Sequence, residues 1–135
     1  MSDHESALQK ALIGWLKDDP ALQALLGEPA RIWDQPPLSP TYPNLRVGRS
    51  QSRPVAAEGC GIEHTLTLHC VSRFAGTEEA RAICAAVRAR IEGAVLEVDG
   101  VRTISLRTTF VDVFRSADLR RTYGVIRVRA VTEDI

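Results

Sequence analysis

A chain of 135 residues is sized for one packed core, because domains typically run to about 100–150 residues. Its 44% hydrophobic and 25% charged residues exclude a disordered chain, a collagen-like repeat and a membrane protein. The 17 basic and 17 acidic residues cancel, which argues against coating nucleic acid or an anionic membrane by bulk charge.

Leu8, Leu12, Trp15 and Leu16 fall at i, i+4, i+7 and i+8, one apolar stripe of a 3.6-residue period, and predict an N-terminal helix. Asp19-Pro20 restarts the chain, with an N-capping side chain followed by proline at the first helical position. Leu22, Leu25 and Leu26 give the second helix its apolar face, and Gly27 supplies its stop. Arg31-Ile-Trp-Asp34 suits a short strand. Gln35 to Pro43 then holds Pro36, Pro37, Pro40 and Pro43, which remove ladder donors and fix the shape of a loop.

Leu45 and Val47 suggest a further strand before Arg53 to Gly61, where Pro54, Gly59 and Gly61 predict a mobile loop. Period-two alternation then marks three half-buried strands. Their expected inner faces are Ile62, His64, Leu66, Leu68 and Cys70; Ile104, Leu106, Thr108 and Phe110; and Ile126, Val128 and Ala130. Thr77 is expected to cap a helix whose face of Ala80, Ile83, Cys84, Val87 and Ile91 covers the sheet. Ser116 to Leu119 is short enough to join the last two strands as a hairpin.

From Thr109 to Phe114 the strand is apolar on both sides, Phe110 and Phe114 one way and Val111 and Val113 the other. Such a strand is buried on both faces by its own chain or by a neighbour. The predicted fold is therefore α+β, a mainly antiparallel sheet covered by a helix on one face with an N-terminal helical pair, in the order α-α-β-β-β-α-β-β. No internal repeat or low-complexity tract interrupts it.

The charge is unevenly spread. Residues 1–34 carry six acids against Lys10, Lys17 and Arg31, a balance of −3, while residues 100–132 carry seven arginines against Asp112 and Asp118, a balance of +5. Fifteen of the 17 basic residues are Arg, whose planar fork suits interfaces and phosphates. An acidic start, Asp3-His-Glu5, and the lack of an apolar run near the roughly 18 residues of a span predict neither a signal peptide nor a membrane anchor. The chain is expected to fold in a cytoplasm, where Cys60, Cys70 and Cys84 stay reduced.

Chemical motifs are lacking. His64 and His69 face opposite sides of a strand, and His64 and Cys70 share a side about 20 Å apart, so no metal set converges. Gly48-Arg-Ser50-Gln-Ser52 lacks the last glycine of a nucleophile elbow, and Gly59-Cys60-Gly61 leads into a strand rather than a phosphate-binding helix. Asp18-Asp19 and Glu78-Glu79 sit at helix starts, where capping and the dipole explain them. Tyr123 stands alone where an RNA-recognition strand needs alternating aromatics. The sequence thus predicts no catalytic, cofactor-binding or metal-binding residues, no cofactor and no enzyme.

Taken in order, these elements resemble the phage tail-completion family, the tail terminators of siphophage-type tails also found in prophages and gene transfer agents. The resemblance is carried by the N-terminal helix, Asp19-Pro-Ala-Leu-Gln-Ala-Leu-Leu-Gly27, Arg31-Ile-Trp-Asp34 with its proline loop, and Tyr42-Pro-Asn-Leu45. It continues through Glu63-His-Thr-Leu-Thr-Leu-His69, the helix from Thr77 to Glu92, Asp112-Val-Phe-Arg115, and Tyr123-Gly-Val-Ile-Arg-Val-Arg-Ala-Val-Thr132. It implies one terminator-like domain over residues 1–135 and a structural role in which a ring, hexameric in the family, caps the tail tube, stops its polymerisation and docks the head.

The implied partners are further copies of the chain, the tail tube protein and the head completion or connector proteins, with non-specific contact to transiting DNA and none to membrane. The implied locations are the bacterial host cytoplasm during assembly and the head-proximal end of the virion tail. Beside this, the doubly apolar stretch nominates Val111, Val113 and Phe114 for a subunit interface, and within the ring that the resemblance implies Arg107, Arg127 and Arg129 are the candidates for lumen or intersubunit charge. Two alternatives stand beside it: another head-tail connector or neck protein, which shares the size and class, and, further off, a small nucleic-acid-binding module.

Overall fold

The computed structural model describes residues 3–55 and 61–135. Helices α1 (His4–Lys17) and α2 (Pro20–Leu26) precede β1 (Ile32–Trp33), β2 (Asn44–Pro54) and β3 (Ile62–Ser72). Then come α3 (Glu78–Ile91), β4 (Glu97–Val98), β5 (Val101–Arg115) and β6 (Thr122–Asp134). The strands form one sheet in the order β1-β2-β3-β6-β5-β4. Every pairing is antiparallel except β1 with β2, which run parallel at Ile32↔Leu45 and Trp33↔Arg46. The expected order holds, with the two-residue strand β4 added after α3.

The helix signals act as read, with two differences at the caps. Asp3 caps α1 by accepting from the Ser6 amide, and Pro20 opens α2 behind Asp19. Asp19, however, makes no side-chain capping bond, and the Thr77 hydroxyl accepts from Arg81 Nε rather than from the α3 backbone. Gly27 ends α2 at φ 90°, a conformation that a Cβ would strain.

All three helices pack on one face of the sheet. Leu12, Leu16, Leu22 and Leu26 from the helical pair meet Ile83, Val87 and Ile91 from α3 and Leu66, Leu68, Ile126 and Val128 from the central strands in one buried cluster. Each such side chain stabilises the fold by about 1.5–3 kcal/mol relative to exposure. At Gly124 the helix lies directly on the strand: an added Cβ would stand 2.7 Å from Cys84 Sγ and 3.2 Å from Cys70 Cβ. Trp15 Nε1 donates to Arg90 O at 2.8 Å, Arg90 Nε donates to Trp15 O at 3.0 Å, and the guanidinium covers the indole at 3.5 Å. This pair locks α1 to the end of α3.

Two expectations about strands are corrected. β5 was expected to turn Ile104, Leu106, Thr108 and Phe110 inward, but irregularities between Thr103 and Ser105 and between Thr108 and Phe110 each insert one residue. The inner set becomes Val101, Thr103, Leu106, Thr108, Val111 and Val113, and Ile104 and Phe110 are exposed. A bulge of this kind resets a period-two pattern. β2 likewise extends through Arg53 and Pro54, paired to Glu63 and Ile62, where a loop was expected. Residues 56–60 of that loop, Cys60 among them, lie outside the described residues.

Candidate interaction surfaces

The face of the sheet away from the helices carries no other element of the described chain, and its composition follows from register. On β6 the outward residues are Tyr123, Val125, Arg127, Arg129, Val131 and Glu133, and on β5 Arg102, Ser105, Arg107, Phe110, Asp112 and Phe114 lie beside them. All three nominated arginines therefore share this open face, with Arg107 directly opposite Arg129.

Like charges facing across a ladder repel. Arg129 is offset by Glu63 Oε2 at 2.9 Å, and Glu63 also takes Arg53 at 3.3 Å. The hydrogen bond from Arg129 is the main reason the Glu63 carboxyl is held below the usual carboxylate range. Arg127 lies over the Phe110 ring at 4.9 Å. Phe114 packs against Tyr123 at 5.6 Å between centroids, and Phe110 and Phe114 remain 45% and 43% exposed.

The residues nominated for an interface divide between the two faces. Phe114 is on the open face, whereas Val111 and Val113 point inward and pack partly against the core. Phe110, which sequence alternation assigned to the core, joins Phe114 outside. The bulge before it has no signature in the sequence beyond the clash between its neighbours' alternations.

A second surface forms at the β5–β6 turn. Asp118 Oδ1 accepts from the Ser116 hydroxyl at 2.6 Å and from the Arg120 amide at 3.0 Å, which lowers its pKa. Leu119 is held at φ 60° and is exposed. Beside the turn, Tyr42 lies under two guanidinium groups, Arg73 at 4.2 Å and Arg121 at 5.6 Å from the ring centroid. Arg73, Arg120, Arg121, Leu119 and Tyr123 line an open hollow of about 890 Å³. Arg73 and Tyr42 carry no sequence signal as a pair, because they lie far apart in sequence and only the pairing of β2 with β3 brings them together.

The buried polar groups are structural in their contacts. His4 Nδ1 and His64 Nε2 share the Thr132 hydroxyl at 2.7 and 2.8 Å, and His4 Nε2 meets Asp134 at 3.2 Å. His64 is fully buried, and desolvation pushes its pKa down. His69 sits on the opposite face over Gly48, whose missing Cβ makes room for the ring. Burial pushes the Cys70 thiol up to about 12 and the Cys84 thiol upward, so neither forms a ready thiolate. Among the described residues no group of three His, Cys, Asp or Glu side chains is placed to hold a metal ion, and no helix is long and apolar enough to cross a membrane.

A small sheet covered on one side, with aromatic and arginine side chains on the other, defines a protein built around surfaces rather than an enclosed pocket. Residues 10–133 match the family described as Tail completion protein gp17, and the chain belongs to that family of phage-tail structural proteins. No curated protein matches the sequence. The fold is similar to a chain of a solved structure titled "Virion of native gene transfer agent (GTA) particle", with a TM-score of 0.87 at 24% identity. The alignment covers 98% of this chain and 99% of that one.

Proposed function

We propose that the chain is a tail terminator: a ring of copies that caps the tail tube, stops tube-protein polymerisation and presents the surface to which the head completion proteins dock. The observation that carries this reading is the family match over residues 10–133. The likeness to a chain of a gene transfer agent virion supports a place in a particle of that kind. In this reading the protein assembles in the bacterial cytoplasm and ends at the head-proximal end of the tail. The protein acts by binding and not by catalysis. In support, the hollow at the β5–β6 turn is lined by arginines and turn residues without His or Cys among them, and the buried thiols are poor nucleophiles.

In this reading the open sheet face, with Phe110, Phe114, Arg107, Arg127 and Arg129, meets neighbouring protein or the DNA that crosses the lumen. Apolar rings flanked by Arg are the composition of interface cores. Negative-stain images of tails assembled with and without the protein test the role. Tubes of unregulated, excessive length are expected in its absence. Tubes of normal length that fail only to join heads would instead identify a neck protein.

A further inference from the structure

Polar side chains from α1, β3 and β6 meet in the interior where α1 begins. The Thr132 hydroxyl lies 2.7 Å from His4 Nδ1 and 2.8 Å from His64 Nε2, and His4 Nε2 lies 3.2 Å from Asp134 Oδ1. His4, His64 and Thr132 are buried, and Nδ1 of His64 has no partner among the described residues.

These contacts fix where the hydrogens sit. A carboxylate only accepts, so His4 Nε2 donates to Asp134, which leaves Nδ1 of the neutral ring as an acceptor. The Thr132 hydroxyl has a single hydrogen, and His4 Nδ1 takes it. His64 therefore donates from Nε2 to the hydroxyl oxygen, and its buried Nδ1 is bare. The chain runs one way, from His64 through Thr132 and His4 to Asp134, with one hydrogen in each contact. A further hydrogen on either ring finds no contact to occupy. On His64 it stands at the bare Nδ1; on His4 Nδ1 it displaces the hydroxyl hydrogen, which then meets a nitrogen that already carries one. A buried donor without an acceptor is costly.

The charged groups that face the two rings are Asp3 and Glu5 on α1 and Asp134 on β6. Asp3 is taken up by the Ser6 amide and Glu5 by the Ser52 hydroxyl of β2 at 3.3 Å. β2 and β5 present the uncharged Ser52 and Thr103, paired to His64 and Thr132. What the chain fastens is the first turn of α1, because His4 opens that helix and its ring is held by two residues of β6.

We propose that His64, Thr132, His4 and Asp134 form a latch set by proton number. Without the added proton it holds the first turn of α1 against β3 and β6, and one further proton lets that turn come away from the sheet. The latch belongs to the single subunit and stands apart from the terminator reading.

Imidazole nitrogen-15 spectra of the full-length protein test the order of the hydrogens. At about pH 7.5 both His4 and His64 are expected as Nε2–H tautomers. An Nδ1–H tautomer of either ring would overturn the chain. Amide hydrogen exchange, corrected for its intrinsic dependence on pH, tests the release. From about pH 7.5 to about pH 5, protection at Ala7 and Leu8 should fall on the order of tenfold while Leu66 and Ile126 in the central strands keep theirs. Thr132→Val, which keeps the shape of the side chain and removes the shared hydroxyl, should show the low protection already at the higher pH, and Thr132→Ser should behave as wild type. Protection at Ala7 and Leu8 that ignores pH, or a loss shared equally by the central strands, would overturn the latch. The wild-type tautomers and pH response decide the matter even where Thr132→Val does not fold.

Discussion

At the scale of single residues, the informative position is His64. Its place on the inner face of β3 was legible from alternation, but its pairing was not, because Thr132 and His4 come from the two ends of the chain. Nδ1 of His64 is buried without a partner, so protonation there would place a charge in an apolar surround. Desolvation lowers its pKa below the ordinary value, the Glu5 carboxylate partly offsets that, and His4 adds to the lowering.

The consequence for stability has a definite sign. Above about pH 6.5 the imidazole is neutral in both folded and unfolded chains. As pH falls below that, the unfolded chain takes up the proton first, so stability drops until the lower folded-state pKa is passed. Denaturant midpoints between about pH 8 and pH 5 should therefore fall more for wild type than for His64→Gln. Equal slopes would show that His64 does not sense pH in the folded protein.

At the scale of elements, helices were legible because their apolar stripes are long and their stops are glycine or proline, as at Leu8 to Leu16 and at Gly27. The central strand β3 was legible for the same reason, with an uninterrupted alternation from Ile62 to Cys70. β5 was legible as a strand but not in phase, since each bulge resets the pattern while leaving β-forming residues on both sides. Polar β2 beyond Val47 is exposed and held by pairing with β3, so its sequence carries no burial signal.

The bulge makes a deletion test possible. Thr109 is the extra residue between the pairs Thr108↔Val128 and Phe110↔Arg127. Removing it leaves Val111 and Val113 inward and Phe114 outward, so that variant should fold and lose no more than about 1–2 kcal/mol by urea titration. Deleting Thr67 from bulge-free β3 would instead turn Leu66 or Leu68 out of the core, and should leave no cooperative transition.

At the scale of the whole molecule, the zero net charge hides an acidic stretch over residues 1–34 and a basic one over residues 100–132, −3 and +5. Within the fold this asymmetry is only partly neutralised: Lys10 pairs with Asp99, His4 with Asp134, Arg102 with Glu133, and Arg53 and Arg129 share Glu63. Arg73, Arg107, Arg120, Arg121 and Arg127 form no ion pair among the described residues. A subunit that meets copies of itself through these groups should associate more weakly as salt rises, because exposed charges are screened beyond about 10 Å at 0.1 M and about 3 Å at 1 M. The apolar part of such a contact, Phe110 or Phe114 of the open face, should hardly respond to the same change. Sedimentation velocity from about 50 mM to about 500 mM sodium chloride separates the two contributions. A shift toward smaller species that Arg120→Glu with Arg121→Glu reproduces at low salt is expected if the arginine-lined hollow carries the charge contact. Assembly unchanged by salt and by those substitutions would assign subunit contact to apolar surface alone and leave the arginines without a part in it.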